Sequence, residues 1–208
     1  MHETNICSGL AVGSEEVASI TEAMYNLQYK LQDRLGKLPL GTASLQDKAV
    51  SLIYWRHCIH TELDELLEWF EKEDPTDDFY KEMEMELVDV LHFVFNMAIT
   101  TSIPIKEVAS LTETGPWVVS ETYDRENLNW AILYLSKALS DYIDLFPWKT
   151  WKTYKDFKFN EELVIKQFAV ILMEVFNIAK LLGMTENRVY NVYVAKNKEN
   201  HARQDRGY

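Results

Sequence analysis

Apolar residues along this chain recur mostly at intervals of three and four, and strand-type alternation is scarce. That periodicity predicts an all-α protein. About six helices are expected, over roughly 15–35, 44–72, 77–101, 125–145, 160–182 and 185–204, with a further short helix left open over roughly 104–112. Pro and Gly stand at the joints, where helices can stop: Gly36 and Pro39, Asp74-Pro75, Ile103-Pro104, Gly115-Pro116, Phe146-Pro147 and Gly183. No repeat, low-complexity segment or long linker interrupts the series, so residues 1–208 are expected to form a single domain.

The stretch 160–182 shows an ordinary core helix. Leu163, Val164, Phe168, Ile171, Leu172, Val175, Phe176, Ala179 and Leu182 make one apolar stripe, with the charges mostly off it. The stretch from Leu87 to Ile99 departs from that pattern. It reads LVDVLHFVFNMAI, in which ten of thirteen residues are apolar, so the helix is expected to be buried nearly all round. The exceptions, Asp89, His92 and Asn96, are spaced by three and then four and stack on one face. Glu86 and Glu82 extend that face backwards. An isolated carboxylate buried there costs several kcal/mol (order of magnitude), so it must be paired or bind metal.

The helix expected over 44–72 breaks in a similar way. Trp55, Cys58, Glu62, Glu65 or Leu66, and Trp69 fall near one face, placing Glu62 and Glu65 one turn apart among apolar neighbours. Two helices therefore each offer a carboxylate pair at i, i+3: Glu62-x-x-Glu65 and Glu86-x-x-Asp89. Packed antiparallel, they bring four carboxylates together, and such a cluster repels itself without cations. Hard oxygen ligands at this density suit Mg²⁺, with Mn²⁺ as a substitute. Solvated acidic faces are the plain alternative, least so for Asp89 within its apolar run. His92 is open to a core role as well.

Opposite charge comes from the C-terminal stretch, where Lys196, Asn200 and Arg203 lie at i, i+4 and i+7 on one helical face. An ammonium, an amide and a guanidinium make a clamp for phosphate oxygens, although a solvated basic helix reads the same way. The formal net charge is −12, which disfavours general nucleic-acid binding. Cys7 and Cys58 are too few for a disulfide framework, which points to a reducing cytoplasm. No apolar run is long enough for a membrane span, and the first residues lack a signal-peptide pattern.

Four segments together resemble the dimeric, all-α dUTPase family, part of the all-α NTP pyrophosphatases that include MazG-like enzymes. They are LQYKLQDRLG at 27–36; Trp55-Arg56-His57-Cys58-Ile59 leading to Glu62-x-x-Glu65; Glu86-Leu87-Val88-Asp89 with Leu91-His92-Phe93; and Lys196-Asn197-x-x-Asn200-x-x-Arg203-Gln204 closing on Gly207-Tyr208. The resemblance implies a helical bundle that hydrolyses dUTP, dCTP or both to the monophosphate and pyrophosphate. It implies Mg²⁺ held by Glu62, Glu65, Glu86 and Asp89, with Glu62 or Glu65 orienting or deprotonating the attacking water. Lys196, Asn200, Arg203 and Tyr208 would bind phosphates. Gln28 and Gln32 would sit near the base and sugar, and His92 and Asn96 would contact deoxyribose or base. It further implies a homodimer.

The second amide is Gln32 where many such dUTPases have Asn, as in the dCTPase–dUTPase type of T-even phages. That likeness adds dCTP as a substrate and implies a phage origin, hence the host cytoplasm. The Trp148-Lys149-Thr150-Trp151-Lys152 stretch lies about 80 residues later than a similar stretch in family members, and reads either as an aromatic hinge or as part of the site. Two rivals remain: a broader MazG-like NTP pyrophosphatase, and a non-catalytic helical interaction protein.

Overall fold

A computed structural model describes residues 14–36, 43–70, 77–112 and 124–207. These form seven helices: α1 (Ser14–Arg34), α2 (Leu45–Phe70), α3 (Asp77–Thr101), α4 (Ile105–Leu111), α5 (Arg125–Asp144), α6 (Glu161–Leu181) and α7 (Glu186–Asp205). No strand occurs among the described residues. The all-α expectation holds. The seventh element is the short helix left open at 104–112, now α4. The joints at Pro39, Asp74-Pro75 and Gly115-Pro116 lie outside the described residues, as does Cys7.

The helix ends follow local chemistry. Asp124 caps α5 by accepting from the backbone N–H of Glu126 and Asn127, at 2.9 and 3.3 Å. Asn160 caps α6 through Leu163 N–H, and Thr185 caps α7 through Arg188 N–H. Each side-chain oxygen satisfies a donor that the first helical turn leaves open. Gly183 takes a φ of +70° at the sharp turn from α6 into α7, a conformation that costs Gly little and other residues more. The two helices then diverge by 103°.

α3 is the centre of the fold and packs against α1, α2, α6 and α7. Leu87, Val88, Val90, Leu91, Val94, Phe95, Met97 and Ala98 are all fully buried on it, as the near-continuous apolar run predicts. α6 is the second core helix, buried along Val164, Phe168, Ile171, Leu172, Val175, Phe176 and Ala179. Leu163 is the exception to the expected stripe: it lies in the first turn and stays exposed.

α2 and α3 form an antiparallel pair, and their contacts fix the register. Trp55 Nε1 donates to Thr100 Oγ1 at 3.0 Å, and the Trp55 ring stacks on Phe93. Moving up α2 from Trp55 to Glu62 therefore moves down α3 from Phe93 to Glu86. α7 crosses nearby and is anchored at both ends. Arg188 grips Glu84 of α3 with two nitrogens, and Arg34 of α1 pairs with Asp205 and donates to His201 O. The clamp holds the middle of α7 against α3 and α1.

Candidate active site

The α2–α3 register brings Glu62, Glu65 and Glu86 together. Carboxylate oxygens from the three lie within 4.8 Å of one another. Glu62 and Glu86 are half-buried and Glu65 is exposed, so the cluster opens to solvent on one side. Burial pushes the Glu62 carboxyl up to about 7, helped by repulsion from Asp89, Glu65 and Glu86. Glu86 is raised by burial first and then by Asp89 and Glu65. Carboxyls that resist ionising side by side are short of positive charge, and the all-oxygen donor set fits a hard divalent cation.

Asp89 is the fourth expected ligand. It is largely buried, and its carboxylate is bonded to the Lys196 ammonium of α7, with side-chain exposures of 18% and 14%. Burial raises its pKa, while the Lys196 hydrogen bond and charge, and the Arg203 charge, pull it down. Asp89 thus faces the positive residues of α7, and it lies outside the group whose oxygens come within 4.8 Å. Glu82 is half-buried one turn before Glu86.

Beyond Asp89 the face of α3 continues into a buried polar layer between α1 and α7. His92 stacks flat on Tyr193, with ring centroids 4.1 Å apart and planes 9° apart. Its Nδ1 donates to Val88 O at 2.8 Å, which leaves Nε2 as a buried acceptor without a protein partner. Burial lowers the His92 pKa to about 4, so the ring is neutral at neutral pH. Gln28 Nε2 donates to Asn96 Oδ1 at 2.8 Å, and Tyr193 Oη donates to Gln28 Oε1 at 3.4 Å. Gln32 is buried one turn further along α1. The sequence-predicted residues Gln28, His92 and Asn96 therefore meet in one layer.

On α7, Asn200 is half-buried one turn after Lys196. Arg203 is partly exposed, with Nε 3.4 Å from Glu199 Oε1. Tyr208 lies outside the described residues. Two neighbours of these residues were given no role from the sequence, although Asn197 stands in the C-terminal motif. Tyr193 is fully buried and links His92 to Gln28, and Asn197 is buried with its amide nitrogen unpartnered. Their signal was their spacing: Tyr193, Lys196, Asn197 and Asn200 fall at three and four on one face of α7. In the Trp148–Lys152 stretch the aromatic rings pack locally. Trp148 packs on the core, donates to Asp144 Oδ1 at 2.5 Å and meets Trp151 edge-on, with Lys149 over its ring.

The bundle sets a carboxylate cluster, a donor set that fits a divalent cation, beside a face of α7 that carries Lys196 and Arg203. Residues 21–208 match the family described as dUTPase, and the chain belongs to that all-α dUTPase family. At the level of the family the activity is hydrolysis of dUTP, generally with a divalent metal. No curated protein matches the chain.

Proposed function

We propose that the protein is a Mg²⁺-dependent dUTP and dCTP diphosphatase, releasing pyrophosphate and the deoxynucleoside monophosphate. The convergence of Glu62, Glu65 and Glu86, with the Asp89–Lys196 pair beside them, carries this reading. Glu62, Glu65, Glu86 and Asp89 would hold the metal, and Mn²⁺ could replace Mg²⁺. Bound there, the cation supplies charge neutralisation of the triphosphate and water activation.

The chain's own residues do the rest. Glu62 or its neighbour Glu65 takes the proton of the attacking water. Lys196, Asn200, Arg203 and Tyr208 bind the phosphate oxygens. His92 and Asn96 contact the deoxyribose or base. Gln28 and Gln32 read the base, and a carboxamide suits both pyrimidines. It presents a donor beside an acceptor, and turning over Gln32 exchanges them to match uracil or cytosine, while Gln28 is held one way round by Asn96 and Tyr193. The surrounding buried polar layer disfavours bases that leave its groups unpaired.

We further propose a homodimer. In its support, α2 and α5 pack together, and each carries an exposed apolar stripe: Val50, Ile53 and Tyr54 on one, Trp130, Leu133 and Tyr134 on the other. Light scattering on a sizing column reads the mass directly, and a monomer would end that part of the proposal.

The decisive assay is pyrophosphate release from dUTP, dCTP, dTTP and dATP, each with Mg²⁺ and with EDTA. Turnover of dUTP and dCTP with Mg²⁺ alone is expected. Comparable turnover of all four would instead mark a broad, MazG-like enzyme, and turnover in EDTA would refute the metal dependence.

A further inference from the structure

Asp89 stands one helical turn from Glu86, yet its carboxylate is bonded to Lys196. Both groups are largely shielded from water, where an ammonium–carboxylate contact is strong and poorly screened. Lys196 does not drift freely into that position. It sits mid-way along α7, which packs on α3 and α1 through the buried Val189, Val192, Tyr193 and Asn197. The ammonium holds Oδ2 of Asp89, and its charge repels a divalent cation from the carboxylate, so the pair weakens Asp89 as a ligand.

We propose that Lys196 is a built-in counter-ion that occupies Asp89 until a triphosphate arrives and takes over the ammonium. The phosphate oxygens then release Asp89 to complete the cation site with Glu62, Glu65 and Glu86. This rests on the diphosphatase reading above and adds an order to it: the full site forms for cation and nucleotide together and only poorly for cation alone. By linkage, the nucleotide must tighten the cation by the same factor that the cation tightens the nucleotide. Loss of one positive charge in the general field of the site would give a different signature, because Arg203 also acts on Asp89 without the direct bond that Lys196 makes.

The test is binding of Mn²⁺ alone, followed by electron paramagnetic resonance of the free ion, on the full chain. Lys196→Met is expected to bind Mn²⁺ about tenfold more tightly than wild type, equivalent to about 1.4 kcal/mol. That gain should vanish in the Asp89→Asn background, so Asp89→Asn and the double variant bind alike. Arg203→Gln should change Mn²⁺ affinity by less than about twofold, well below the tenfold that 1.4 kcal/mol represents. A non-hydrolysable dUTP analogue should tighten Mn²⁺ in wild type and do so less in Lys196→Met.

No gain in Lys196→Met, or a gain that survives Asp89→Asn, overturns the counter-ion while leaving the metal site standing. Mn²⁺ binding indifferent to both Glu62→Gln and Glu86→Gln would instead bring down the diphosphatase reading itself. Lys196→Met leaves Asp89 charged without its partner. Should it fail to fold, Lys196→Gln keeps a hydrogen bond to Asp89 without the charge and is judged by the same outcomes.

Discussion

In the metal-free protein the Glu62 carboxyl is held at about 7, against an ordinary 4.5. Below the lower value the folded and unfolded chains both carry the proton, and Glu62 adds no pH dependence. Between the two values the folded chain keeps a proton that the unfolded chain has released. Stability therefore falls as pH rises through this window and stays reduced above it. Glu62→Gln removes the charge and keeps the volume, so it should stabilise the metal-free protein at pH 8 and have little effect below pH 5. Each pKa unit corresponds to about 1.4 kcal/mol, which sets a ceiling of about 3 kcal/mol. The carboxyl is only half-buried and shares its repulsion with three neighbours, so solvent screening brings the expected gain to about 1–2 kcal/mol. In a chain of this size that is a rise in Tm of roughly 3–6 °C. Thermal unfolding by circular dichroism, in EDTA at pH 5 and pH 8, measures it. Saturating Mg²⁺ should reverse the order, because only wild type keeps the full ligand charge. A Glu62→Gln variant no more stable than wild type at pH 8 in EDTA, or equally shifted at both pH values, would refute the crowded-carboxylate account.

Asn96→Ala takes the acceptor from Gln28 Nε2 inside the core. It should cost about 1–3 kcal/mol in urea unfolding and raise KM for dUTP, and an unchanged midpoint would count against the buried layer. His92 is depressed to about 4 by burial. Its NMR ring signals should stay neutral down to about pH 5, and its contribution to stability should fade as pH drops from 6.5 towards 4. Titration near the ordinary 6.5 would show a wetter site. Arg203→Ala should raise KM for the triphosphate about tenfold with a smaller effect on kcat. An unchanged KM would mean that Arg203 serves contacts within the protein, such as that with Glu199.

The helices were legible in the chain because their ends are written locally. Gly36, Pro104, Pro147 and Gly183 mark stops that hold in the fold. α4 was the doubtful element, since seven residues carry too little periodicity to separate helix from turn. The carboxylate pairs were legible for the same reason: i, i+3 spacing on one helix needs no tertiary knowledge. What spacing does not carry is which helix faces which. The Asp89–Lys196 bond spans 107 residues of sequence, and the His92–Tyr193 stack joins the same two helices. Both depend on the crossing of α7 over α3, which the anchors at Arg188 and Arg34 set. Asn197 stood in the C-terminal motif, but its burial was not legible, because an amide between Lys196 and Lys198 reads as one more polar residue on a charged helix.

The central place of α3 has a consequence for how the chain is made. The acidic residues of α2 and α3 leave the ribosome more than a hundred residues before Lys196 does. For that interval of synthesis the acidic stretches have no Lys196 to answer them, and only protons or dissolved cations can neutralise them. Only when α7 settles across α3 does the protein carry its own.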